Sequence, residues 1–145
     1  MIERLEPFIG EWSVEAAFAD ALPADMEGRA VFEWTLGGQF LVERSEVSHP
    51  DAPDSLAIIG VDQSGEKYVQ HYFDSRGIAR VYEMSFADGV WKLWRTSADF
   101  TSLEFSQRFT GTFSDDGNTI DSRWEICHDG STWQLDFDLT YTRAR

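Results

Sequence analysis

The residues that could do chemistry in this chain are few and scattered. Three histidines, His49, His71 and His128, share no HxH or HxxxH spacing, and no CxxC pattern accompanies them. A dedicated metal site is therefore not expected. His49 precedes Pro50 in the turn-rich stretch HPDAPDS, and His128 adjoins Asp129-Gly130. His71 lies mid-strand on one face with Val69 and Phe73; with no partner near it in sequence, it reads as a hydrogen-bonded structural histidine rather than a base. The single cysteine, Cys127, cannot form an internal disulfide. Its neighbour His128 falls on the opposite face of a strand, so a buried, inert thiol is expected. There is no G-x-S-x-G elbow and no phosphate-binding glycine loop. Acidic residues are plentiful, but most fall in turns or on wet faces, so no acid–base pair stands out. No catalytic residue is assigned.

Polar residues on otherwise dry faces are the stronger signal. Arg80 interrupts Ile78, Tyr82, Met84 and Phe86, and Arg95 continues the face of Trp91 and Leu93. Gln107 lies between Phe105 and Phe109, Ser122 between Ile120 and Trp124, and Gln70 and Asp74 flank Tyr72. A buried guanidinium without an anion is strongly unfavourable. Each arginine must therefore meet an internal carboxylate (Glu46 and Asp74 are candidates), water at a mouth, or the anionic group of a ligand. Aromatic residues Trp34, Tyr72, Tyr82, Trp91, Phe109, Trp124 and Phe137 supply an apolar wall. With Arg80, Arg95 and Gln107 they make the candidate ligand-binding set, an aromatic cup holding a few polar groups.

These residues need strands to hold them, and strands are what the alternation predicts. In Glu27–Val47, Ala30, Phe32, Trp34 and Leu36 share one face, and beyond Gly37-Gly38 residues Phe40 and Val42 oppose Leu41, Glu43 and Ser45. Period-two alternation around a Gly-Gly pair reads as an antiparallel hairpin with one dry face. The pattern recurs to the C-terminus. Leu103–Phe113 alternates, and in Thr132–Tyr141 residues Trp133, Leu135, Phe137, Leu139 and Tyr141 oppose Gln134, Asp136, Asp138 and Thr140. Both faces of the fifth and seventh strands carry aromatics, so their inward side stays open. Met1–Phe8, with Ile2, Leu5 and Phe8 three apart, predicts a short helical turn able to plug one end of a barrel. The expected architecture is all-β: a single antiparallel up-and-down barrel of about ten strands spanning residues 1–145 as one domain, without the long connections of a Greek key.

Composition sets the outer limits. Hydrophobic residues make up 42% and aromatic residues 14% of 145 positions, enough for a packed core. A net charge of −14 opposes binding to nucleic acid or to anionic membrane surfaces. No apolar run approaches a membrane span, and MIERLEPFIG has no signal-peptide core, so the expected compartment is the cytoplasm.

Several motifs together resemble a known group. Gly10 and Trp12 form an early G-x-W, Gly28–Trp34 contains G-x-x-x-F-x-W, and Gly37-Gly38-Gln39-Phe40-Leu41 follows. Tyr72–Gly77, Asp88-Gly89-Val90-Trp91 and Asp129–Trp133, ending in Tyr141-Thr142-Arg143, extend the likeness along nearly the whole chain. The chain is similar to uncharacterised bacterial lipocalin-like (calycin-type) barrels distantly related to the nitrobindins. That resemblance implies a ligand inside the barrel and, through the nitrobindins, raises haem held by a histidine. Here the nitrobindin G-x-W-x-G-x-G becomes Gly10-Glu11-Trp12-Ser13-Val14-Glu15-Ala16, and no histidine follows the last strand, so no cofactor is expected. The expected partner is a small apolar or amphipathic molecule. The alternatives are a cyclase- or isomerase-like enzyme acting on a hydrophobic substrate in the barrel, and a structural homodimer module.

Overall fold

The computed structural model describes residues 1–18, 26–49 and 52–144. A 3-10 helix (Ile2–Phe8) precedes ten strands: β1 (Gly10–Phe18), β2 (Met26–Thr35), β3 (Phe40–Val47), β4 (Ser55–Val61) and β5 (Tyr68–Asp74), then β6 (Ala79–Ala87), β7 (Val90–Arg95), β8 (Ser106–Phe113), β9 (Thr119–Cys127) and β10 (Gln134–Arg143). Each strand pairs antiparallel with the next, and β1 pairs with β10, closing the sheet into a barrel. Closure gives every strand two hydrogen-bonded neighbours and leaves no edge to recruit another chain.

The 3-10 helix plugs one end. Leu5 and Phe8 are fully buried. The ring centroid of Phe8 lies 5.4 Å from that of Phe32 and 5.0 Å from those of Phe86, Trp91 and Phe113. Most of these contacts are edge-to-face, the arrangement that the ring quadrupole favours. The polar groups of this end are met as well. Trp12 Nε1 donates to the Phe8 carbonyl at 2.9 Å, and the Tyr68 hydroxyl donates to the Met1 carbonyl at 2.7 Å. Arg143 donates to the carbonyls of Ile9 and Pro7 and stacks 4.1 Å over the Trp12 ring.

The first hairpin departs from the simple alternation. Leu36 to Gln39 form the loop, with positive φ at Leu36, Gly37 and Gly38 (51°, 72° and 82°). Leu36, expected on the dry face, is carried into this left-handed turn and exposed. Thr35 then opposes Phe40, which sets Leu41, Glu43 and Ser45 against Trp34, Phe32 and Ala30. The inward face of β3 is thus Leu41-Glu43-Ser45, while the ring of Phe40 lies over Gly60, where a Cβ would meet it at 2.8 Å.

Two later strands also differ from expectation. β8 begins at Ser106 rather than Leu103. In β10 the pairing with β9 shifts between Leu135 and Phe137. Such a bulge swaps faces: Leu135 turns outward and is 38% exposed, and Asp136 turns in. The open question for β5 and β7 is settled: Tyr68 and Gln70, and Trp91, Leu93 and Arg95, are buried.

Candidate functional site

Eight strands already make a barrel wide enough for side chains to fill, and ten leave additional room. The plug and its aromatic cluster occupy one end. Towards the other lies a cavity of about 590 Å³. Its wall carries a chain of ring contacts: Tyr72 to Tyr82 at 6.2 Å, Tyr82 to Trp124 at 5.5 Å, Trp124 to Phe109 at 5.0 Å, and Phe109 to Trp91 at 4.6 Å. Trp91 then reaches Tyr141 at 6.1 Å.

Of the residues singled out from sequence, Tyr72, Arg80, Tyr82, Trp91, Gln107, Phe109, Trp124 and Phe137 line this cavity. Trp34 does not. It sits at the plug end of β2, where its Nε1 donates to Glu6 at 3.1 Å. Arg95 does not line it either. Its guanidinium donates to both carboxylate oxygens of Asp99, at 2.9 and 3.0 Å, and to the Thr101 carbonyl at 2.6 Å. Asp99 also accepts from the backbone N–H groups of Val81 and Thr101. These hydrogen bonds, Arg95 first, hold the Asp99 carboxyl far below the usual range against the opposing effect of burial. The internal carboxylate foreseen for one arginine is thus Asp99, not Glu46 or Asp74. Asp74 is taken by Arg76 at 2.7 Å and by the Tyr72 hydroxyl at 2.9 Å.

Arg80 is placed differently. Among the described residues it has no ion pair, its Nε is buried without a hydrogen-bond partner, and its guanidinium lies 6.0 Å from the Phe105 ring centroid. Gln70 Oε1 and Trp91 Nε1 are likewise buried and unpartnered among the described residues, and both residues line the cavity. Gln107 is partly engaged, accepting from the Tyr82 hydroxyl at 3.0 Å.

Sequence reasoning passed over Glu43. The alternation puts it on one face with Leu41 and Ser45 without marking it as a site residue, and it lines the cavity. Burial pushes its carboxyl up to about 7, and the Ser45 hydroxyl, donating at 3.1 Å, only partly offsets this. Burial, and then the charge of Glu43, raise the Tyr141 phenol well above its ordinary value. Asp136, brought in by the bulge, is also raised by burial. A signal for Glu43 was present: with a loop of Leu36 to Gln39, the ladder puts Glu43 opposite Phe32, on the dry face.

The histidines stand apart from this cavity. His71 and His128 are exposed, and His128 packs against Phe105 at 5.4 Å. Among the described residues no group of three or more His, Cys, Asp or Glu side chains is placed to hold a metal ion. No helix among them is long and apolar enough to cross a membrane. Cys127 is buried, with its thiol 3.6 Å from Asp129.

No protein-family model matches the chain, and no curated protein matches it in sequence. Among solved structures, the chain is similar to the crystal structure of Rv2717c from M. tuberculosis, with a TM-score of 0.69 and 15% sequence identity. The match covers 99% of this chain and 97% of that one. At that identity the likeness concerns the barrel fold alone.

Proposed function

We propose that this protein is a lipocalin-like binder, which reversibly holds a small, largely apolar molecule inside the barrel with an acidic group of the ligand facing Arg80. The observation that carries this reading is the contrast between two inward-facing arginines. Arg95 has its counter-charge within the chain, in Asp99. Arg80 has none among the described residues, its Nε is buried without a hydrogen-bond partner, and the residue lines an aromatic cavity large enough for a small molecule. A guanidinium so placed gains most from an anion supplied by a ligand, because the low-dielectric wall strengthens the pairing.

The test compares 2-naphthylacetic acid with 2-naphthylacetamide, which keeps the shape and removes the charge. Titrated into the wild type, the acid should bind about tenfold tighter than the amide. In Arg80→Met that preference should vanish while the amide binds as before. Equal loss for acid and amide, or no loss for either, removes Arg80 from the site.

An enzymatic reading, as an isomerase or cyclase in the same cavity, draws on Glu43, whose pKa of about 7 suits proton transfer near neutrality. Conversion of a bound carbonyl compound by the pure protein would favour it.

A further inference from the structure

The floor of the cavity carries a second polar pole, remote in sequence from Arg80. Phe32 and Trp91 both rest on Phe8 of the plug, so the residues beside them form the cavity floor. Glu43 is the cross-strand partner of Phe32, and Tyr141 lies against Trp91. Trp91 Nε1, on a residue only 1% exposed, has no hydrogen-bond partner among the described residues, and an indole N–H can only donate.

Among the described residues the Glu43 carboxyl has no ion pair. Its register neighbours are Phe32 on β2 and Ala57 on β4, neither of them charged, and Ser45 follows on its own strand. From β10 it is faced by Tyr141, whose phenol stays neutral because burial and Glu43 both raise it. Glu27 and Arg29 of β2, Glu46 of β3, Arg76 after β5, Arg80 of β6 and Asp136 of β10 share the cavity lining, while the hydrogen bond that the carboxyl receives comes from Ser45. Burial therefore decides its protonation, and below about 7 the carboxyl is a neutral acid with a proton to donate. Two donors on the lining of one cavity match a neutral oxygen acceptor, whereas an ionised Glu43 would repel it.

Resting on the reading that the barrel holds a small apolar molecule, we propose that the floor receives a neutral carbonyl oxygen of that molecule, a ketone, ester or amide, through Trp91 Nε1–H and the O–H of a neutral Glu43. The ligand then enters carbonyl first, with any acidic group left for Arg80.

The experiment uses two probes of matched shape, 2-acetylnaphthalene and 2-ethylnaphthalene, and follows their fluorescence on binding to the full chain. Measurements at about pH 5.5 and about pH 8.5 bracket the Glu43 pKa of about 7. The ketone should bind roughly five- to tenfold tighter at the lower pH, and the hydrocarbon equally at both. Glu43→Gln, whose amide still donates, should abolish the pH dependence, while Asp136→Asn should preserve it. Trp91→Phe should weaken the ketone several-fold and spare the hydrocarbon. If ketone and hydrocarbon bind alike at both pH values, or if Asp136→Asn rather than Glu43→Gln removes the pH effect, the floor does not receive a carbonyl. Cavity binding then still stands. If neither probe binds, the cavity reading falls and takes this inference with it.

Discussion

The two ends of this barrel use the same aromatic vocabulary to opposite purposes. At the plug, Phe8, Phe32, Phe86 and Phe113 fill the interior, and the polar atoms of Trp12, Tyr68 and Arg143 each find a carbonyl. Towards the cavity, Trp91, Phe109, Trp124 and Tyr82 pack into the core and also line the open space, and Gln70, Arg80 and Trp91 keep polar atoms unpartnered among the described residues. A buried polar group without a partner costs stability. The plug end therefore reads as the part of the molecule that holds the barrel together. The cavity end reads as the part where stability is given up for recognition.

That contrast can be broken by substitution. The largest effect is expected at the plug. Phe8→Ala should destabilise the barrel by about 4–5 kcal/mol, because the cavity left among four packed rings cannot collapse onto a closed wall. Urea unfolding measures this, and a loss near 1 kcal/mol would mean the plug does not support the barrel. Next comes Arg95→Met, which removes the counter-charge of the Asp99 carboxylate in the 96–105 loop. A loss of about 3 kcal/mol is expected, at the low end for a broken buried pair because Asp99 keeps some solvent contact. Arg80→Met should cost less than about 1 kcal/mol by the same measurement, since it strands no carboxylate. Equal losses at the two arginines would erase the distinction between them.

An effect of opposite sign is expected at Glu43. Its folded pKa of about 7 lies above its ordinary value of 4.5, so the folded protein holds a proton that the unfolded chain releases between those values. Its contribution to stability is therefore complete below about 4.5, falls as pH rises through that window and stays low above it. Glu43→Gln should accordingly gain roughly 2–3 kcal/mol over the wild type at about pH 8, with the difference narrowing towards about pH 4.5. A difference independent of pH would place the carboxyl in bulk water.

Much of this protein was legible in its residues. Alternation and turn chemistry are local, and they were enough for an all-β barrel, for a helical turn at its mouth or base, and for most of the aromatic wall. Arg80 was legible too, because a cation inside a run of apolar alternates must face the interior. What the chain by itself left undecided was register. The bulge before Phe137 alters which side chains face inward, and it leaves no mark in hydrophobic periodicity. Asp136 was hidden for that reason, whereas Glu43 stands opposite Phe32 across a hairpin whose register the Gly37-Gly38 turn alone implies. The fate of Arg95 was likewise tertiary. Its partner Asp99 lies in a connecting loop whose path is fixed by hydrogen bonds to β6, through the Val81 N–H and the Ala79 carbonyl, and not by any pattern within the loop. Sequence determined that this barrel would hold charge inside; only the closed sheet decided which of those charges the protein neutralises for itself.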